Sequence, residues 1–106
     1  MATFVTPVHP GEILREEFMA ELGLSAGALA KAIEVPRTRI ERIVAEEVGI
    51  STDTAFRLAR YFGTSPDVWL NLQQSYEVSV AAKSMKPALQ RITPRADDVP
   101  ADWLLA

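Results

Sequence analysis

The sequence predicts an all-α protein: five helices making one small domain over residues 1–86, followed by a short C-terminal tail over 87–106. Three observations carry that expectation. Apolar residues recur at three- and four-residue spacing in five successive windows, as a buried helical face requires. Residues that start or stop helices (Gly23, Ser25, Pro36, Gly49, Gly63 and Ser65-Pro66) separate those windows. No stretch carries the sustained apolar–polar alternation of a half-buried strand.

After a leader, Met1–His9, holding Pro7 and the Phe4-Val5 pair, the first helix begins at Pro10, where a missing N–H costs nothing. Leu14, Phe18 and Leu22 fall at i, i+4 and i+8, with Ile13 and Met19 widening the stripe. Glu12, Glu16 and Glu17 lie near the positive end of the helix dipole, and Gly23 supplies the stop. Ser25 is an N-cap for a second helix, Ala26–Ile33, that buries Leu29, Ala30 and Ile33. Pro36 keeps Val35 out of helical geometry, so a third helix of about Arg37–Ala45 starts afresh. Its apolar face is Ile40, Ile43 and Val44, with Arg37, Thr38, Glu41 and Arg42 elsewhere and Arg39 at the boundary. Ser51 or Thr52 caps a fourth helix burying Ala55, Leu58, Ala59 and Phe62 and ending at Gly63. Ser65-Pro66-Asp67 opens the fifth with cap, first-turn proline and acid together. Its stripe is Val68, Trp69, Leu72, Tyr76 and Val80, running to about Met85. The tail holds Pro87, Pro94, an acidic Asp97-Asp98 pair and an apolar Trp103-Leu104-Leu105. A frayed terminus, a segment that docks on a basic partner and one that folds back on a dimer all fit that composition.

Composition narrows function. With 48% hydrophobic residues in 106, the chain is globular, not disordered. The absence of cysteine excludes a disulfide scaffold, a thiol nucleophile and cysteine-ligated metal. With His9 alone, a multi-histidine metal centre is impossible and a Ser-His-Asp triad has no support. No catalytic residues, cofactor or metal are therefore expected. No apolar run reaches the roughly 18 residues of a membrane span, and no signal-peptide pattern opens the chain. A cytoplasmic protein without membrane partners is the expectation.

The net charge of −3 argues superficially against nucleic acid, but its distribution does not. Residues 1–24 carry Arg15 against Glu12, Glu16, Glu17 and Glu21, whereas Arg37, Arg39, Arg42, Arg57 and Arg60 cluster in the middle. Solvated helix faces explain that cluster; so does a local basic surface, since an arginine fork bonds phosphate or guanine bidentately. Two short helices joined by a tight turn, with Leu29, Ile33, Val35 and Ile40 bulky and Ala30 small, are what a helix-turn-helix needs. A generic helical hairpin uses the same pattern.

Longer motifs are more specific. His9-Pro10-Gly11-Glu12-Ile13-Leu14, Leu29-Ala30, Val35-Pro36-Arg37-Thr38-Arg39-Ile40, Gly49-Ile50-Ser51-Thr52-Asp53-Thr54-Ala55, Leu58 to Ser65 and Trp69-Leu70-Asn71-Leu72-Gln73 resemble the HigA-type antitoxins, which include sequences labelled VapI. These belong to the Cro/phage-repressor helix-turn-helix class, and the likeness covers about residues 8–78. The resemblance implies a homodimer that binds a palindromic double-stranded operator and represses its own operon. It also implies a HigB-like mRNA endonuclease toxin as a partner that the chain neutralises. Three departures weaken the expected phosphate contact and predict an affinity that is modest or strongly salt-dependent: Ala26 for a frequent Gln, Glu34 for the usual turn Gly, and Glu46-Glu47 for Asn-Gly. Any positive φ at Glu34 is strained by its Cβ.

The DNA-contact candidates are Arg42, for a base or adjacent phosphate, and Arg37, Thr38 and Arg39 at the head of the same helix. Thr38 is alternatively a local cap. Ser25, Thr52 and Thr54 are candidates for phosphate donation, or plain N-caps, or both. Arg57 and Arg60 are expected to be structural, pairing with the first helix's glutamates, and His9 to cap or pack its turn. Trp69, Leu72 and Tyr76 are core or dimer seam, and with Val80 they are the candidate dimer interface. A stand-alone transcriptional regulator is the nearest rival reading, separated by whether a toxin-like reading frame adjoins. A bundle that has lost DNA affinity is a third, separated by salt-dependent operator binding.

Overall fold

The computed structural model describes residues 7–95; the Phe4-Val5 pair, Asp97-Asp98 and Trp103-Leu104-Leu105 lie outside them. Among the described residues there are six helices and no strand. The first, α1, is compound: α-helical over Pro10–Ile13, π-helical over Leu14–Met19, and α-helical again over Ala20–Leu22. Then come α2 (Ala26–Ile33), α3 (Arg37–Val44), α4 (Thr52–Phe62), α5 (Pro66–Ser84) and α6 (Lys86–Gln90). The last is a turn of helix that the sequence reading assigned to the tail; Pro87 suits its first turn, where no N–H is needed.

The π segment corrects the expected face of α1. The Ala20 N–H bonds the Arg15 carbonyl, five residues back, so each turn holds an extra residue. Leu14 and Met19, at i and i+5, are therefore both buried, while Phe18 is half-buried and Leu22 is 62% exposed. A strict 3.6-residue repeat places Leu22 inside; the widened turn rotates it into solvent. Gly23 then ends the helix with φ +64°, and the Leu24 N–H returns to the Met19 carbonyl at 2.9 Å.

Leu14, Leu29, Ile40, Ile43, Ala55, Leu58 and Trp69 are fully or almost fully buried and form one core where α1 to α5 converge. Burying each large side chain is worth about 1.5–3 kcal/mol. Beside them Phe18, Phe62 and Trp69 pack with ring centroids 4.7–6.0 Å apart. The Trp69 indole N–H donates to the Thr64 hydroxyl at 3.0 Å, satisfying the polar atom of a buried ring. Trp69 is the only buried residue of α5; on the rest of its apolar stripe, Val68 is 39% and Val80 41% exposed.

Candidate nucleic-acid interface

Helix α2, the turn Glu34–Pro36 and α3 form a helix-turn-helix whose corner the half-buried Val35 fills. The Val35 N–H returns to the Ala30 carbonyl at 3.0 Å, and Glu34 adopts φ +60°, ψ +50°. That is the left-handed conformation foreseen for a glycine, here carried by a residue with a Cβ. Glu46 repeats the device after α3, at φ +64°.

Three contacts fix α3. At its C-terminal end the Arg15 guanidinium donates to the Val44 carbonyl at 2.5 Å and approaches Glu46 at 3.4 Å. Its pKa is raised, chiefly by the Glu16 carboxylate and then by Glu46. Gly11 of α1 lies against the Ile43 carbonyl so closely that a side chain there has no room. On its flank, Arg39 Nη1 donates to Asp53 Oδ2 at 2.8 Å, and the same oxygen accepts from Arg57 Nε at 3.0 Å. Arg57 Nη1 reaches on to the Ile33 and Glu34 carbonyls, at 2.9 and 3.3 Å, and so caps α2. Arg57 is structural, but its partners are Asp53 and the α2 terminus instead of the glutamates of α1. These bonds, from Arg57 first and Arg39 second, hold the Asp53 carboxyl below the usual carboxylate range.

The outer edge of α3 carries two exposed arginines. The Arg37 and Arg42 side chains are 70% and 60% exposed, and Thr38 is exposed without capping the helix. Arg37 pairs with Glu41 at 3.2 Å and Arg42 with Glu47 at 3.6 Å. Exposed pairs of this kind contribute about 0.2–1 kcal/mol, little enough for a phosphate or guanine to replace the carboxylate. Ser25 and Thr52, both exposed, stand at the N-termini of α2 and α4. Ser25 Oγ accepts from the Ala28 N–H at 3.0 Å, leaving its hydroxyl proton to donate.

Two expected site residues are corrected. Thr54 is 1% exposed, its hydroxyl turned inward to accept from Ser51 at 3.1 Å, so burial keeps it from donating to a phosphate. The cap of α4 is Ser51, which accepts from the Thr54 N–H. Trp69 is wholly enclosed by its own chain and presents no surface to a second copy. Leu72 and Tyr76 remain half-buried and Val80 exposed. His9 caps its turn as expected, Nδ1 accepting from the Gly11 N–H at 2.9 Å, with its ring edge-on to Tyr76. Sequence reading missed Arg15 and Asp53 as positioning residues; the i, i+4 spacing of Asp53 and Arg57 was the available signal.

A helix-turn-helix with a rigidly held second helix and a basic outer edge defines a DNA-binding class of protein. Residues 14–69 match the helix-turn-helix family model HTH_3. Virulence-associated protein I of Dichelobacter nodosus is 50% identical over 91 residues, 86% of this chain and 83% of that relative. Antitoxin HigA-1 of Vibrio cholerae is 33% identical over 68% of each chain. Among solved structures, the Pseudomonas aeruginosa antitoxin HigA with the higBA promoter superposes with TM-score 0.83 at 43% identity, over 86% of this chain and all of that one. The chain belongs to the HigA/VapI-type antitoxins of the Cro/phage-repressor helix-turn-helix class. No helix of the described residues is long and apolar enough to cross a membrane.

Proposed function

We propose that this chain is the antitoxin of a type II toxin–antitoxin pair. It acts in the cytoplasm as a homodimer, binds a palindromic double-stranded operator and represses its own operon. It also binds and neutralises a HigB-like mRNA endonuclease. Residues 1–86 carry DNA binding and dimerisation, and 87–106 form the tail, whose first part is α6.

The observation that carries this reading is the outer edge of α3, where Arg37, Thr38 and Arg42 stand exposed on an otherwise acidic chain. Arg39 reaches the same edge from the side, and Ser25 and Thr52 add donors at two helix ends. A palindrome is read by two such helices about 34–36 Å apart, one turn of DNA. Leu72, Tyr76 and Val80, spaced by four along α5, form the seam that sets this distance. The HigA structure with its promoter supports this reading for the DNA partner.

The test is paired. Arg42→Ala leaves the Ile40/Ile43 face untouched and should weaken operator binding by about 1–3 kcal/mol, read by fluorescence anisotropy, with discrimination relaxed at one base pair. Growth rescue during toxin expression should survive the substitution. Unchanged operator affinity would remove α3 from the interface; lost rescue by a folded variant would put toxin and DNA on one surface.

A further inference from the structure

Among the arginines of α3, Arg39 is held differently. Arg37 and Arg42 pair with Glu41 and Glu47, and among the described residues those carboxylates have no second cationic partner. Arg39 instead donates an Nη1–H bond to Asp53 Oδ2, and Asp53 is fixed from behind by Arg57, which is fixed in turn by the α2 carbonyls. Asp53 itself lies in the first turn of α4, one residue beyond the exposed Thr52, with its side chain 57% exposed. A bare helix start at a DNA-facing edge attracts any phosphate, whatever the sequence. Here that position carries an anion of the protein's own.

The geometry points to Asp53 as a specificity-determining residue that buttresses Arg39 for base-edge readout and repels the phosphates of non-cognate duplexes. The inference rests on the operator-binding reading above. One nitrogen of Arg39 stays on Asp53, and the remainder of the fork is presented in a fixed direction, so less order is lost when it meets a guanine edge. On a wrong sequence the fork finds no partner, and swinging it to a phosphate requires breaking the Asp53 bond. The carboxylate thereby acts against the competitor as well as for the target.

The experiment begins with the wild-type protein selecting its site from a random duplex library. Affinity is then measured for that duplex and for a scrambled one, for wild type, Asp53→Asn, Arg39→Gln and the double variant. Asp53→Ser, whose residue suits a helix's first turn, runs in parallel so that a folding defect in one variant is not decisive. Removing the carboxylate should tighten scrambled-duplex binding, lower the specificity ratio about fivefold or more, and steepen the salt slope on the scrambled duplex by about 1.8, since one added phosphate contact per subunit is two per dimer. In the Arg39→Gln background the same change should lower the ratio clearly less than in wild type, leaving only the part due to phosphate repulsion, because the buttressing is pairwise. An unchanged ratio, or an equal fall in both backgrounds, overturns the role of Asp53 while leaving DNA binding intact. A wild type that enriches no duplex removes the operator reading itself.

Discussion

Gly11→Ala is the sharpest test of how α1 holds the recognition helix. A Cβ at Gly11 meets the Ile43 carbonyl oxygen in hard overlap, its carbon at 2.8 Å and His9 Nδ1 at 3.0 Å. The first two are backbone atoms, so no rotamer change relieves them. Carbon atoms pack best at about 3.5–4.0 Å, so α1 and α3 must part by at least about 0.7 Å. A gap of that size forfeits a quarter to a half of the dispersion across the contact, and overpacking of this kind costs about 1–3 kcal/mol. The His9 cap on the Gly11 N–H is disturbed at the same point, adding about 0.5–2 kcal/mol. The expected loss is about 1.5–5 kcal/mol, read as a lower urea midpoint at unchanged slope by circular dichroism. Gly27→Ala is the internal control. Its Cβ meets only the Arg37 side chain, at 3.2 Å, which is 70% exposed and free to move. That variant should be neutral or gain up to about 1 kcal/mol from helix propensity. If Gly11→Ala loses less than about 0.5 kcal/mol, the close α1–α3 contact does not hold the two helices together.

Three further outcomes follow from the same geometry. Glu34→Gly relieves a left-handed strain of about 1–2 kcal/mol and gives back about 0.5–1 in unfolded-chain entropy, so the melting temperature should rise by a few degrees. The Arg57 bond to the residue 34 carbonyl survives that change because it is made to backbone. Thr64→Val strands the Trp69 indole N–H and should cost about 1–3 kcal/mol in urea unfolding, whereas Thr64→Ser should cost less. Asp53, its carboxyl pKa depressed by Arg57 and then Arg39, contributes stability that is complete above the unfolded value of about 3.9 and disappears as pH falls through the lower folded value. Carboxyl-carbon NMR should place its midpoint below that of a free aspartate, and Asp53→Asn should flatten the acid limb of the stability profile.

Most of the fold was legible because local chemistry marks its joints. Ser25 and Gly23 are a cap and a stop in the structure as their residue types dictate, and the predicted α2, Ala26–Ile33, has the observed bounds. What escaped had non-local causes. The π segment of α1 shows no signature in residue type, yet it turns Leu22 out of the core while Met19, expected on the stripe, stays in it. Trp69 reads equally well as seam or core, since an aromatic stripe records only that a face is apolar, and the Phe18–Phe62 pair that encloses it comes from distant sequence. Thr54 failed as a phosphate donor for a related reason: Ser51, Thr52 and Thr54 are all capping types, and only the helix phase tells which hydroxyl turns inward.

The charge pattern has a structural explanation that residue counting misses. Of the five clustered arginines, Arg57 is spent on α2 carbonyls and Asp53, and Arg39 is half-committed to Asp53. Arg15, in the acidic first segment, serves the end of α3 instead of any outer surface. The outward field of the recognition helix therefore comes chiefly from Arg37 and Arg42, each partly neutralised by a glutamate one or two turns away. Such a surface attracts DNA weakly at a distance and depends on short-range replacement of carboxylate by phosphate or base. Its affinity should accordingly fall steeply between 50 and 200 mM salt, by about 10³–10⁵ for a dimer making some 6–10 phosphate contacts. A shallow slope measured on the selected duplex would mean that base-edge and apolar contacts, not these arginines, supply the binding energy.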